Sequence, residues 1–365
     1  MIDHVVPPFA LISCFLVLLP LSWHIKSGNT GTIALAAWLF LGNLDIFINS
    51  MIWWSNYENK APWYCEISIR LRYCIAVAIP ACNLAIARRL ESIASTRQVR
   101  ASLTDKKRQL WIELFITVGV PVIYVALMIV NQSYRYNIIE EFGCWPAMWP
   151  SWVWILLSVL PCLCISIASF VYSVLSFRWF WIRRRQFQAV LASSASTLNK
   201  SRYIRMLTLT SVDMLFFFPI YFGGMIRQVQ AYSLLPYTSW SYVHAGFNRY
   251  EVIPAEAVLQ QPQSMSVLLL SRWMCPVSAI IFFAMFGLGQ EARQAYADAF
   301  GLLTILNKMQ KRRSPKPMEN VTVDIEVVTF HQHDRSSEFD ASPRSDKFGT
   351  NSEKFSPASS KLEEA

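Results

Sequence analysis

Charge is what this chain is short of. Only 16% of its 365 residues are Asp, Glu, Lys or Arg, against about a quarter in soluble domains, so a surface wholly in contact with water is excluded. No C-x-x-C pair stands near a histidine, which leaves a zinc site without ligands. Gly-x-Gly-Asp, His-Glu-x-x-His and Gly-x-Ser-x-Gly are all absent, and with them the familiar signatures of a membrane-embedded or soluble hydrolase. No metal and no cofactor is expected. The first apolar block lacks a small-residue cleavage site, so a cleavable signal peptide is not expected. No internal repeat is evident, which argues against a transporter built on repeats.

Apolar and aromatic residues are abundant instead. The chain is 54% hydrophobic, with mean hydropathy +0.31, 14 Trp, 14 Tyr and 23 Phe. A helix needs about 20 mostly apolar residues to cross a bilayer. Seven stretches qualify, at 6–24, 32–54, 65–88, 110–130, 151–177, 205–227 and 265–288. The third carries Arg70 and Arg72 in its first turns, where snorkelling to the outer interface would accommodate them. The last span holds no lysine, which excludes a retinal Schiff base.

Lysine and arginine set the orientation. With the N-terminus outside, the inner loops hold fifteen of them, including Arg88, Arg89, Arg183, Arg184, Arg185 and Arg205. The outer segments hold four: Lys60, Arg135, Arg227 and Arg249. The net charge of +9 therefore belongs to a cytoplasmic face, and nucleic acid is not an expected partner. The expected architecture is an all-α membrane protein, a seven-transmembrane helix bundle with its N-terminus outside. Its divisions are a seven-transmembrane domain at 1–288, an amphipathic juxtamembrane helix at 289–306 and a disordered cytoplasmic tail at 307–365.

Several residues could carry function. Cys65 at the mouth of the third span and Cys144 before the fifth lie on the oxidising side, as a disulfide or as two free thiols. The other six cysteines fall in apolar stretches, as expected of small buried hydrophobes. Asp45, Asn49, Asn83 and Asp213 are polar residues at membrane depth, either satisfied structurally or part of a switch. Arg272 is a candidate partner for an acid in the outer half. The outer segment 228–264 presents Tyr237, Trp240, His244 and Phe247, as a ligand cap or as an interfacial aromatic belt. The basic inner ends fit either anionic lipid or an acidic protein surface. Prolines at 20, 80, 121, 161, 219 and 276 interrupt six spans, as packing features or as hinges.

A resemblance rests on several stretches taken together: Trp63–Arg70, Ala78–Leu90, Gly119–Pro121, Tyr134–Pro146, Ser201–Leu207, Ser239–Arg249 with Ile253-Pro254, and Phe286–Tyr296. Over about residues 5–300 the chain resembles the fungal mating-pheromone receptors of the a-factor type, which detect lipid-modified peptides. It departs from their pattern at Glu91 and Asn248. The resemblance implies a plasma-membrane receptor, a peptide pheromone with a prenylated C-terminal cysteine, and a heterotrimeric G protein. Membrane lipids are implied as further partners, and a homodimer is compatible. Arg88 and Arg89 match the motif on the G-protein side, and Cys65 and Cys144 match the outer cysteines. Arg70 and Arg272 join the loop aromatics as candidate ligand contacts. A seven-helix transporter or channel is the alternative, although paired half-helices and a dense polar line are not clear in the sequence.

Overall fold

The computed structural model describes residues 4–95, 103–183, 200–212, 215–216, 218–231, 234–260, 262–289, 292–294, 296 and 301. Asp213, Arg184, Arg185, most of 289–306 and the tail from 307 lie outside the described residues, and of Arg183 only the backbone is described.

Seven helical runs form the bundle. They are α1 (Val6–Leu18), α2 (Thr30–Ile52), α3 (Pro62–Ala94), α4 (Thr104–Asn131) and α5 (Trp152–Ile182). The last two are α6, in two described pieces (Lys200–Val212 and Phe218–Ala231), and α7 (Pro262–Phe286). Five of them, α2, α3, α4, α5 and α7, are each long and apolar enough to cross a membrane. The first span is shorter than its hydropathy suggests. Pro20 follows the end of α1, and the chain restarts as a separate turn, Leu21–Lys26.

At 33 residues, α3 is about 50 Å long, well beyond a hydrocarbon core of about 30 Å. It therefore reaches past the hydrocarbon layer, its outer end packed under the hairpin and its inner end against α6. It runs through the middle of the bundle and packs against α2, α4, α5 and the inner piece of α6. By contrast α4 and α5 turn apolar side chains outward. Val122, Ile123, Phe170, Val171 and Val174 are exposed, as a lipid-facing surface requires.

Prolines are absorbed where they fall. Pro121 and Pro161 each follow a π-turn, Phe115–Gly119 in α4 and Ile155–Val159 in α5. Proline has no N–H to give the carbonyl four residues back. For Pro121 that carbonyl belongs to Thr117, and it accepts Trp38 Nε1–H from α2 at 3.0 Å. The missing helix bond thus becomes a contact between helices.

The outer loops hold a small sheet of three strands, β1 (Tyr136–Ile139), β2 (Gly143–Trp145) and β3 (Tyr250–Ile253). The order is β2-β1-β3. Strand β2 pairs antiparallel with β1, Ile138 opposite Cys144, whereas β3 pairs parallel with β1, Ile138 opposite Val252. The hairpin turn puts Glu141 and Gly143 at φ +67° and +79°. A side chain at Gly143 would also overlap Asn49 of α2, so only glycine fits. Cys65 is bonded to Cys144, with their Cα atoms 5.2 Å apart. The disulfide marks this end as the oxidising exterior, and Arg88 and Arg89 at the far end of α3 mark the cytosol.

Candidate functional site

Two polar rows at helical spacing meet beneath the hairpin. Asp45 and Asn49 lie one turn apart on α2. Tyr64, Ser68 and Arg72 lie at successive turns on α3 and share one face. Asn49 is the centre of the cluster. Its Nδ2 is 3.0 Å from both Asp45 Oδ1 and Ser68 Oγ, and its Oδ1 accepts Cys144 N–H from the hairpin at 2.9 Å. Tyr64 Oη–H donates to Asp45 Oδ1 at 2.9 Å. The other carboxylate oxygen of Asp45 faces Arg72 Nε at 3.1 Å. Arg72 also lies over the Trp145 ring, 4.9 Å from its centroid. A buried charge is tolerated only when so surrounded.

Below this cluster is a cavity of about 260 Å³, in the outer half of the bundle. Asp45 and Arg72 form its polar end. Trp145 of the hairpin, Trp154 of α5, Gly224 of α6 and Met274 of α7 complete a largely apolar wall. A mostly apolar hollow with a few convergent polar groups is the usual form of a small-ligand site.

Above the cavity the outer surface is laced by charge. Glu66 accepts from Arg70 at 2.5 Å and from Arg135 at 2.8 Å, tying α3 to the sheet. Glu251 beside Tyr134 pushes that phenol above its ordinary range, and partial burial adds to the effect. The hydrogen bond that Arg135 donates to Glu66 raises the arginine as well. Tyr134 therefore stays neutral and Arg135 charged at physiological pH.

The inner end has two ties of its own. Arg89 Nη1–H donates to Gly28 O at 2.9 Å and faces Glu113 of α4 at 3.5 Å. This joins the loop between α1 and α2 to α3 and α4. The second tie is Tyr203 of α6, fully buried. Its hydroxyl shares a 2.7 Å hydrogen bond with Ser176 Oγ of α5 and is 3.5 Å from Leu90 O of α3. The ring stacks on Phe180.

Residues 5–305 match the family described as STE3, pheromone A receptor. The chain belongs to the STE3 pheromone A receptor family. It is 58% identical to "Pheromone receptor 1" of Ustilago hordei over 352 residues, 96% of this chain and 98% of that one. It is 56% identical to "Pheromone receptor 1" of Mycosarcoma maydis over 92% of this chain and 94% of that protein. A more distant relative is the "Pheromone a factor receptor" of Saccharomyces cerevisiae, 24% identical over 79% of this chain and 59% of the yeast protein. The STE3-family chain is thus a multi-pass pheromone receptor of the plasma membrane, with seven helices and no enzymatic role.

Within this receptor the sequence-singled residues separate into groups. Asp45 and Asn49 come together under the hairpin. Asn83 lies deeper, with its Oδ1 unpartnered among the described residues, at a small hollow between α2, α6 and α7. Arg272 donates to Ser50 Oγ at 2.8 Å and lies over Phe142, while Asp45 takes Arg72. Arg72 is a correction, since it turns into the bundle instead of snorkelling outward. Arg70 stays at the surface with Glu66. Tyr237, Trp240, His244 and Phe247 do not line the cavity. Tyr237 Oη–H donates to Val130 O at 3.1 Å, and His244 stacks on Trp240 with a ring nitrogen 2.9 Å from Ile129 O. They form an outer cover over the end of α4. Cys164 is exposed on α5, unlike the other five free cysteines, which are buried or half-buried. Arg205 packs against the backbone of Gly289.

Tyr64, Ser68, Ser176 and Tyr203 are not singled out by the sequence, and Arg72 reads there only as a snorkelling residue. The spacing of Tyr64, Ser68 and Arg72 along one helix face is a visible signal. Ser176 and Tyr203 carry none, because their meeting depends on how α5 and α6 pack.

Proposed function

We propose that the receptor takes a prenylated peptide pheromone into the cavity beneath the hairpin and signals through a heterotrimeric G protein. The observation carrying this reading is the apolar cavity itself, set in the outer half of the bundle and closed above by a disulfide-anchored hairpin. A lipid chain suits such a wall, and the charged sheet and the cover of Tyr237, Trp240, His244 and Phe247 face the aqueous part of a peptide. Arg70 and Arg272 stand at the same outer end.

Ligand that binds one arrangement of helices better than another shifts the population toward it. Asp45 and Asn49 link hairpin, α2 and α3, so a change in the roof reaches the helices directly. Asn83 and Asp213 are proposed to continue the switch toward the inner half. At the inner face, Arg88, Arg183, Arg184, Arg185 and Arg205 are proposed to meet the G protein. Arg89 contributes by release of its contacts with Gly28 and Glu113. Membrane lipids surround the outward helix faces, and a homodimer is compatible with the arrangement.

The test is expression in a mating-reporter yeast challenged with prenylated peptides and their unprenylated counterparts. Response to the prenylated members alone supports the reading, and equal response to both contradicts it. Two further outcomes are expected. Tyr203→Phe keeps the ring stack but removes the hydroxyl tie, so basal reporter output rises several-fold, equivalent to a bias of about 1 kcal/mol; unchanged basal output contradicts the tie's role. Arg88→Glu lowers the maximal response several-fold while surface pheromone binding persists. An equal loss of binding at normal surface level argues against a docking role for Arg88.

A further inference from the structure

Arg72 has more donors than the protein uses. Its Nε faces Asp45, and the face of the guanidinium lies over Trp145. Among the described residues its two terminal nitrogens donate to no acceptor. The side chain keeps 18% exposure, and the residue lines the otherwise apolar cavity. Asp45 cannot turn away to release it, because Asn49 and Tyr64 hold the carboxylate. Arg72 is therefore a rigid donor fork fixed at one end of an apolar hollow. Arginine with unused donors in such a place is completed by a ligand oxygen.

We propose that Arg72 receives the terminal carbonyl of the prenylated cysteine while the prenyl chain occupies the apolar part of the cavity. This rests on the reading of the cavity as the pheromone site. In an S-prenylated C-terminal cysteine the carbonyl is only a few bonds from the thioether sulfur. A chain lying in the apolar hollow leaves that oxygen close to the root of the chain, where the hollow turns polar. Trp145 and Asp45 hold the guanidinium in place beforehand, so the contact forms without reorganising the site. Discrimination should be large, since a ligand without the carbonyl leaves the terminal donors unmet at the polar end of an apolar hollow.

The experiment is a two-by-two comparison in the reporter strain. One prenylated peptide that activates the receptor is prepared in two forms, ending in S-prenylcysteine amide or in the S-prenyl amine that lacks the terminal carbonyl. Each is titrated against the parent receptor and against Arg72→Lys, which keeps a cation beside Asp45 but loses the fork. Surface level is measured by an N-terminal tag. Removing the carbonyl is expected to lower potency about 10- to 100-fold on the parent receptor and less than about 3-fold on Arg72→Lys. The same ratio on both receptors, or no loss on the parent, overturns the proposal. A third receptor, Ala76→Phe, fills the cavity wall. If Ala76→Phe responds normally at normal surface level, the cavity is not the pheromone site and both readings fall. If it loses response to both peptides while the Arg72 ratios match, only the assignment to Arg72 falls.

Discussion

Asp45→Ala is expected to strip the receptor from the cell surface. The substitution leaves the half-buried Arg72 guanidinium without its counter-charge, and Asn49 and Tyr64 lose an acceptor they share. Breaking one half of a buried ion pair costs about 3–5 kcal/mol, a large fraction of what holds a domain folded. The loss should be specific to the unpaired charge rather than to the missing carboxylate. A neutral pair, Asp45→Asn with Arg72→Gln, removes both charges and keeps hydrogen-bonding groups on both helices. It is expected to restore most surface receptor, measured with an N-terminal tag and by thermal unfolding in detergent. Ser68→Ala, which removes one edge of the same cluster, should cost only about 1 kcal/mol. Asp45→Ala at parental surface level and melting temperature would show that the pair contributes nothing to the fold.

The second large effect is expected at the disulfide. Cys65 and Cys144 close a loop with a sequence separation of 79, and in the chain-entropy account a loop of that size is worth about 4.5 kcal/mol. Both sulfurs are fully buried with Trp53, Ile69, Tyr136 and Ile138. Serine at either position therefore also places an unmatched hydroxyl in an apolar cluster. Cys65→Ser and Cys144→Ser should each abolish the pheromone response and reduce surface receptor. The double variant should be no worse than either single, since the two residues act as one unit. Additive losses would mean that the cysteines act separately. The Asn49 bond to Cys144 N–H remains in all three variants, so residual docking of the hairpin is expected to depend on Asn49.

Much of this architecture could be read from residue types alone, and the reasons are physical. Spans are legible because a bilayer demands long apolar runs and sorts basic residues to one side. The cysteine pair is legible because one member falls at the outer mouth of the third span and the other in the outer loop before the fifth. Side-chain direction is not given by composition. Arg72 sits one turn below Ser68 and two below Tyr64, yet an arginine near a helix end is equally compatible with reaching out to the interface. Only the meeting of α2 with α3 decides that it turns to Asp45. The pairing of β1 with β3 is also hidden, because Tyr136 and Tyr250 are distant in the chain and a parallel pair has no turn signature. The π-turns in α4 and α5 are half visible. Pro121 and Pro161 announce a disturbed helix, but the form it takes depends on neighbours such as Trp38.

The same separation explains the outer aromatics. Tyr237, Trp240, His244 and Phe247 are conspicuous in the sequence because the loop is long and rich in rings. In the fold they bind one another and the end of α4, outside the cavity wall. The inconspicuous residues, Gly224, Met274 and Trp154, are the ones that bound the hollow.

Where the lipid of the pheromone comes to rest decides the account most directly. An activating peptide carrying a photoreactive diazirine in its prenyl chain would be cross-linked to the surface receptor and the labelled residues mapped by mass spectrometry. Label on Trp145, Trp154 or Met274, abolished by excess unmodified peptide, is the predicted result. Competable label confined to residues 234–250, or to the outward faces of α4 and α5, would contradict it.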